Sequence, residues 1–314
     1  MISSRKVAVG DDTDLEIATI QRGRQRPRVA VLGGVHGDEL EGVLAVGRLL
    51  HRLRDEPLQG RLDLVRIANP AAYAAQSRAT PQDGRNLARE FPGDQRGTLT
   101  QRLAHALTQG VISGADLLID LHSAGAHYQM PVFVGYCNSG PSATAAECAA
   151  RAFGAPIIWR HPVIGPGRSL SAASALGIAS IYVEGSGGGG LREADLDIYE
   201  GGVLRVLRML AMLDDKYKAP AGPAEPEMLD GGDGDVDASL TCSASGLCVT
   251  CCQVSDEVAS GQVIARIVAP DGRPLEELRS SRRGRVMMLR RTAEVTAGDG
   301  IAMLGPPARG AETG

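Results

Sequence analysis

The chain has 314 residues, of which 43% are hydrophobic and 22% are charged, and its formal net charge is -4 at pH 7. This length and composition predict a globular protein with one large core and a smaller second one. The N-terminus becomes acidic before an apolar stretch develops, and no apolar run reaches the roughly 18 residues of a membrane span. We therefore expect a cytoplasmic protein without membrane attachment. The arginines are scattered rather than arranged in a stripe, so a nucleic-acid partner is not expected.

The first two thirds of the chain alternate short β-branched segments with helical patterns. This alternation predicts a mixed or parallel sheet covered by helices. Strands are predicted at residues 29–35, 62–68, 116–122, 131–136 and 178–184, and helices at residues 40–53 and 191–213.

Composition changes over residues 216–235, where glycine, proline and acidic residues follow one another without periodicity. This predicts a linker between a first domain at 1–215 and a second domain at 236–314. The second domain contains two copies of the pattern V-x-x-G-x-x-I-A, which begin at Val258 and Val295. Such a repeat, together with short strands and glycine turns, favours a small pseudo-symmetric β sandwich or barrel.

Two further features of the second domain carry no predicted function. Its repeat resembles the barrel-sandwich fold of biotinyl and lipoyl carrier domains, but the last lysine of the chain is Lys218, so a swinging-arm role is excluded. Cys248 and Cys251 have C-x-x-C spacing, but a four-ligand zinc site would need a second pair, and Cys242 stands alone. We therefore expect the cysteines to be buried, reduced thiols.

The strongest chemical signal lies between the first predicted strand and the helix that follows it. His36 and Glu39 are three residues apart at the start of that helix. On a helical turn this spacing puts both side chains on one face, where an imidazole and a carboxylate can bind one metal ion. Because H-x-x-E is also common by chance, a surface pair at a helix start is the alternative.

Two more predicted strands end in polar groups. Asp120 and His122 are at positions i and i+2 of a strand, so both side chains can point to one side of the sheet. His122 would be a third metal ligand, and Asp120 would accept a hydrogen bond from a ligand histidine and so fix its tautomer. The alternative is a polar strand end that faces solvent. A third strand ends in Glu184, and the glycine run after it lacks the Lys-Ser/Thr of a phosphate-binding loop. Active sites of open α/β sheets form at the carboxyl ends of strands, so these groups predict one catalytic site.

Together these motifs resemble the succinylglutamate desuccinylase and aspartoacylase family, which shares its catalytic fold with the zinc carboxypeptidases. The resemblance covers nearly the whole chain and rests on residues 34–39, 69–70, 78–93, 120–123, 167–169 and 184. It implies an α/β fold, with a zinc-carboxypeptidase-like mixed sheet flanked by helices, and a small C-terminal all-β barrel-sandwich domain. That second domain fits the bacterial deacylase branch of the family.

The resemblance also implies a metal centre and a catalytic pair. One Zn²⁺ per chain would be held by His36, Glu39 and His122, with one coordination position left open. Glu184 matches the general base of the family. Arg78 matches the arginine that faces the scissile carbonyl, where a fixed positive charge stabilises the developing oxyanion.

For substrate binding, the resemblance implies a pocket formed by side chains of two motif segments, residues 78–93 and 167–169. Arg89 matches the arginine that clamps a substrate carboxylate, and Asn86 and Arg168 are expected to line the same pocket. The family usually has a second asparagine where this chain has Ala88. One amide that helps to hold the carboxylate is therefore missing, and we expect substrate recognition to differ.

The implied activity is hydrolysis of the amide bond of an N-acyl amino acid or a related small N-acyl amine, such as an N-acetyl-diaminobutyrate-like compound. Two alternatives stay open. One is a metallocarboxypeptidase that acts on short peptides with the same zinc and glutamate, and the other is a catalytically silent binding protein. The sequence leaves the acyl group, the amine and the formation of a homo-oligomer undetermined.

Overall fold

A computed structural model describes residues 2–10, 13–214, 217, 220, 222–223, 225–232, 234–236 and 239–307. Its first part contains β1 Ile2–Gly10, β2 Thr13–Arg22, β3 Arg28–Gly33, α1 Leu40–Arg52, β4 Gly60–Val65, α2 Pro70–Ala75, α3 Leu99–Leu107, β5 Leu117–Ser123, β6 Tyr128–Gln129, β7 Phe133–Cys137, α4 Ala143–Phe153, β8 Ile157–His161, α5 Ser169–Ala175, β9 Ala179–Gly185 and α6 Glu193–Met209. The later strands are β10 Glu227–Asp230, β11 Leu240–Thr241, β12 Gly246–Thr250, β13 Glu257–Val258, β14 Val263–Val268, β15 Pro274–Arg279, β16 Gly284–Arg290, β17 Glu294–Val295 and β18 Gly300–Gly305.

Among the described residues, eight strands of the first part and β10 form a mixed sheet of nine strands in the order β1-β2-β4-β3-β5-β9-β7-β8-β10. Its centre, β4-β3-β5-β9, is parallel, whereas β2 and β7 run antiparallel to their central neighbours. Apolar faces of α1, α4 and α6 pack on one side of the sheet, and those of α3 and α5 pack on the other. This confirms the predicted mixed sheet flanked by helices.

The five predicted strands are present as β3, β4, β5, β7 and β9, and the two predicted helices are α1 and α6. The β1–β2 hairpin was not predicted, because β1 exposes most of its side chains and lacks a buried alternating face. Strand β8 was also missed, although four of its five residues, including Trp159, are buried. Residues 227–230 lie within the range predicted to be a linker, yet they form β10 and pair with β8.

Strands β11 to β18 form two antiparallel sheets, one containing β11-β18-β16-β13 and the other β15-β14-β12-β17. The two sequence repeats explain their symmetry. Each repeat supplies a two-residue strand to one sheet and, after a glycine turn, a six-residue strand to the other sheet: β13 and β14 in the first copy, β17 and β18 in the second. The predicted pseudo-symmetric β sandwich is therefore present.

The sandwich is joined to the first part by main-chain pairing and by a shared core. Strand β6 pairs with β16, so Gln129 lies opposite Leu289. Met287 and Met288 of β16 pack in the same apolar cluster as Phe133 and Trp159. We propose that residues 1–215 and 236–314 form two domains.

Two smaller expectations concern the cysteines and the membrane. Cys242 is buried as expected, but Cys148 and Cys251 are exposed, so the prediction that all the thiols are buried is wrong. Within the described residues, no helix is both long and apolar enough to cross a bilayer.

Candidate active site

The site forms where the central parallel strands end. β5 and β9 are adjacent and in parallel register, and His122 lies directly opposite Glu184. β3 pairs with the other edge of β5, and the chain leaves it at Gly33 to form the turn that contains His36. Three strands that are distant in sequence therefore place their polar ends at one edge of the sheet.

His36 and Glu39 lie in a turn that precedes α1, so the prediction that they share a helical turn is wrong. Glu39 is the N-cap residue, and its backbone is extended (φ -104°, ψ 91°). The turn packs tightly on α2, because a Cβ atom at Gly37 would lie 2.0 Å from the carbonyl oxygen of Ala72. The backbone N–H of Gly37 also donates to the carbonyl of Ser77 (2.9 Å), which brings Arg78 beside the site.

Asn69 fixes the loop that carries Arg78. Its side-chain oxygen accepts a hydrogen bond from the Ala72 amide (3.2 Å) and so caps α2. Its side-chain nitrogen donates to the hydroxyl of Thr80 (3.0 Å) at the end of the loop. Arg78, held between these points, donates to Glu39 Oε1 (3.0 Å).

Among the described residues, His36, Glu39 and His122 form a cluster whose donor atoms lie within 4.8 Å of one another. His36 Nδ1 is 2.6 Å from Glu39 Oε1, and His122 Nδ1 is 2.9 Å from Glu39 Oε2. The backbone N–H of Ser123 also donates to Glu39 Oε2 (3.2 Å). All three side chains are buried.

The far nitrogens of the two histidines face oxygen acceptors. His36 Nε2 is 2.9 Å from Asn86 Oδ1, and His122 Nε2 is 3.2 Å from Asp120 Oδ2, which also accepts from the Ser169 hydroxyl. Such acceptors favour a proton on Nε2 and leave the Nδ1 lone pair for a metal ion. Two imidazoles and one carboxylate are the ligand types of catalytic zinc sites, so the residues present fit Zn²⁺.

The electrostatics of the cluster keep Glu39 ionised. Burial alone would raise its pKa, but His36 and His122 together hold it well below its usual range. Burial lowers the pKa of His36, and the charge of Arg78 lowers it further. Burial also opposes protonation of His122, but the Asp120 and Glu39 carboxylates raise its pKa well above the ordinary value.

Glu184 occupies a different environment from Glu39. Its Oε2 atom is buried and has no hydrogen-bond partner among the described residues. Burial raises the pKa of the Glu184 carboxyl to about 8, although the nearby His122 opposes the rise. A carboxyl group with a raised pKa and an unpaired oxygen suits proton transfer near neutral pH.

A first cavity, which we call the arginine cavity, opens beside this cluster. Its lining includes His36, His122, Glu184, Arg78, Arg89, Arg168 and Ala88. Arg89 and Arg168 are adjacent because Phe91 donates its backbone N–H to the carbonyl of Gly167 (2.9 Å). Both arginines also contact the carboxylate of Asp235.

A second cavity, the interdomain cavity, lies on the other side of Arg78 and Glu184, which line both spaces. Ala124, Met130 and Met288 give it an apolar wall. Ser239, Thr241, Gly298 and Gly300 line it from the β sandwich. The sandwich therefore covers one side of the candidate catalytic centre.

The structure brings together all the residues predicted for the site, but Asn86 is placed differently from the expectation. Its side-chain oxygen faces His36 and accepts a hydrogen bond from the Ala88 amide (2.9 Å), so it contacts a histidine of the His-Glu-His cluster and not the arginine cavity. Asp235 was missed because its glycine- and aspartate-rich surroundings resemble a linker. Tyr199, whose hydroxyl donates to the backbone carbonyl of His122, was missed because it lies far along the chain in α6.

Ala88 lines the arginine cavity, so an asparagine introduced there would bring its amide to the wall of this cavity. We expect Ala88→Asn to lower the KM for an N-acetyl amino acid about two- to tenfold, the effect of one added hydrogen bond, with little change in kcat. Steady-state kinetics measures this. Ala88→Leu, of similar size but without the amide, is the control, and an equal effect of both substitutions would contradict the role of the missing asparagine.

Comparison with known proteins gives matches to a catalytic-domain family and to a curated deacetylase. A family model of the succinylglutamate desuccinylase/aspartoacylase catalytic domain matches residues 25–210. The N-alpha-acetyl-L-2,4-diaminobutyric acid deacetylase of Halomonas elongata is 31% identical over 296 residues, which are 92% of this chain and 85% of that protein.

Two solved structures are similar over nearly their whole length. A succinylglutamate desuccinylase/aspartoacylase from Rhodobacter sphaeroides superposes with a TM-score of 0.84 and 29% identity, covering 98% of this chain and 95% of that one. The product-bound ectoine utilization protein EutE (DoeB) from Ruegeria pomeroyi superposes with a TM-score of 0.85 and 27% identity, with the same coverage. The predicted zinc-carboxypeptidase-like fold class is confirmed.

The matched range holds most of the site and spans more than half of the chain. It includes the ends of β3, β5 and β9, which carry the His-Glu-His cluster and Glu184. One relative is also more than 30% identical over nine tenths of the sequence. These two matches show that the chain belongs to the succinylglutamate desuccinylase/aspartoacylase family.

Proposed function

We propose that this protein is a zinc-dependent deacylase that hydrolyses the amide bond of an N-acyl amino acid. The observation that carries the proposal is the buried His36, Glu39 and His122 cluster, with Glu184 directly opposite His122 on the adjacent strand. The deacetylase activity named for the Halomonas elongata relative supports the reaction type. The compound that this relative deacetylates, N-alpha-acetyl-L-2,4-diaminobutyrate, is the first substrate to test.

Zn²⁺ bound by His36, Glu39 and His122 would supply Lewis acidity for the activation of water and the polarisation of the amide carbonyl. Glu184 accepts the proton of the attacking water on its unpaired carboxylate oxygen. It then returns this proton to the nitrogen of the leaving amine. Arg78, which lines both cavities, donates hydrogen bonds to the oxyanion that forms on the carbonyl oxygen.

The two cavities suggest an orientation for the substrate. The arginine cavity offers Arg89 and Arg168 to the α-carboxylate of the amino acid. The acyl group then lies in the interdomain cavity, against Met130 and Met288. Arg78 is the sole cation among the described residues that line this second cavity, so a short uncharged acyl group fits better there than a succinyl group with its own carboxylate.

The metallocarboxypeptidase alternative predicts a different substrate preference. Residues of the β sandwich line the interdomain cavity and restrict the space beside Glu184, which favours small substrates over peptides. A screen of zinc-loaded protein against N-acetyl, N-propionyl and N-succinyl amino acids and short peptides tests the proposal. We expect turnover of the uncharged N-acyl amino acids, and peptide hydrolysis in their place would contradict the deacylase assignment.

The carboxylate clamp is tested by Arg89→Ala. Loss of a charge-assisted hydrogen bond costs about 1.5–3 kcal/mol, so we expect kcat/KM for an N-acetyl amino acid to fall roughly tenfold to a hundredfold. The corresponding N-acetyl amino acid amide should be much less affected, because it offers no carboxylate. Arg96→Ala, an exposed arginine in a nearby loop, is the control. The clamp would be refuted if wild type preferred the amide, or if Arg89→Ala left hydrolysis of the acid unchanged.

A further inference from the structure

One carboxylate joins the two arginines that are proposed to bind the substrate carboxylate. Arg89 Nη2 donates to Asp235 Oδ1 (3.0 Å), and Arg168 Nη2 lies 2.9 Å from the same oxygen. Between 17% and 28% of each of these three side chains is exposed, so their charges are only partly screened by water. Asp235 lies beyond residues 25–210, the range matched by the catalytic-domain family.

The fold fixes the position of Asp235. The chain reaches it directly from β10, which pairs with β8 at the edge of the main sheet. Just after β10, the carbonyl of Gly231 accepts from Trp159 Nε1 (2.7 Å). Gly234 then passes so close to the cavity wall that a Cβ atom there would lie 2.7 Å from the hydroxyl oxygen of Tyr182. The contacts of Gly231 and Gly234 therefore place the Asp235 carboxylate beside the two arginines.

The consequence is a reduced positive charge at this end of the arginine cavity. The carboxylate of Asp235 places one negative charge beside both arginines. This charge repels every further negative charge on a bound substrate, so it disfavours a substrate with two carboxylates more than a substrate with one.

We infer that Asp235 shifts the charge selectivity of the arginine cavity toward N-acyl amino acids with one carboxylate and away from those with two. This inference rests on the proposed deacylase function. Asp235 acts through the arginines and is a specificity-determining and positioning residue. A unit charge that lies a few ångströms from a substrate carboxylate in a partly buried site changes the binding of a dianion, relative to that of a monoanion, about tenfold.

The test uses two substrates of nearly equal shape, N-acetyl-L-asparagine with one carboxylate and N-acetyl-L-aspartate with two. Asp235→Asn should shift the ratio of the two kcat/KM values about tenfold toward N-acetyl-L-aspartate, and Asp235→Ser provides a second variant without the charge. Asp235→Glu, which restores the charge, should restore the wild-type preference.

A matched control is available in the β sandwich. Glu277 is an exposed carboxylate in β15 that also binds two arginines, Arg266 and Arg279. Glu277→Gln therefore removes the same kind of ion pair away from both cavities and should leave the ratio unchanged. Calorimetric binding of aspartate and asparagine, the amine products, gives a second readout that does not depend on turnover.

The outcomes separate the inference from the proposed function. An active wild type whose substrate ratio is unchanged by Asp235→Asn and Asp235→Ser would overturn the inference alone. An equal gain in affinity for both substrates would also overturn it, because Asp235 would then act only as an internal competitor for the arginines. A wild type that hydrolyses no N-acyl amino acid would overturn the proposed function, and the inference with it.

Discussion

Glu184→Gln is expected to lower kcat about 100- to 10,000-fold, the usual effect of removing a general base. Glutamine has nearly the same shape as glutamate, but its amide cannot accept a proton from water and pass it to the leaving amine. Because Glu184 is not one of the three clustered donor residues, zinc content should stay at one ion per chain. Binding of substrate should also change little, so KM is expected to stay near its wild-type value.

Steady-state kinetics and metal analysis on the same preparations measure both quantities. Glu193→Gln is the matched control, since Glu193 is an exposed glutamate at the start of α6 whose partner is Arg48. Near-normal kcat in Glu184→Gln would remove Glu184 from the mechanism. A large loss of zinc in the same variant would place it among the metal ligands instead.

His122→Ala is expected to abolish stable zinc binding. Catalytic zinc sites use three protein ligands, and His122 supplies one of the two imidazoles of the cluster. The substitution leaves His36 and Glu39, which lie together in the turn before α1, without a ligand from β5. Zinc measured after dialysis should fall from one ion per chain to a small fraction of that, and hydrolysis should fall in parallel.

Two control variants distinguish this effect from general damage. His127→Ala changes an exposed histidine beyond the end of β5, and Cys248→Ala tests the C-x-x-C motif of the sandwich. Both should keep one zinc ion per chain. The ligand assignment is wrong if His122→Ala retains full zinc while its circular dichroism matches wild type, or if Cys248→Ala loses the metal.

The central part of the fold could be predicted because its strands are short, apolar and bounded by polar ends. The segment around Ile119 is such a case, since its β-branched and leucine-rich run is buried on both faces of the sheet in β5. The same pattern identified His122 and Glu184, because a polar residue at the end of a buried strand is conspicuous in the sequence. Pairing of β5 with β9, which sets these two residues side by side, required the structure.

The remaining parts depend on tertiary contacts that a local pattern does not encode. The spacing of His36 and Glu39 indicated that they act together, but a turn packed against α2 produces this proximity rather than a helix. The role of Asn86 on His36 arises from a contact between residues 50 positions apart. Asp235 was hidden for a different reason, since its polar, glycine-rich surroundings carry no periodic pattern and its contacts are with two arginines that lie far from it in the sequence.

Titration of metal-free protein with Zn²⁺, followed by the release of acetate from an N-acetyl amino acid, tests the central claim most directly. If His36, Glu39 and His122 form the catalytic metal site, hydrolysis should be absent before zinc is added and should rise linearly to a plateau at one ion per chain. Glu184→Gln should bind the same amount of zinc and release almost no acetate. Hydrolysis that proceeds unchanged without zinc, or none at all with one ion bound to the wild-type chain, would contradict the assignment of this protein as a zinc-dependent deacylase.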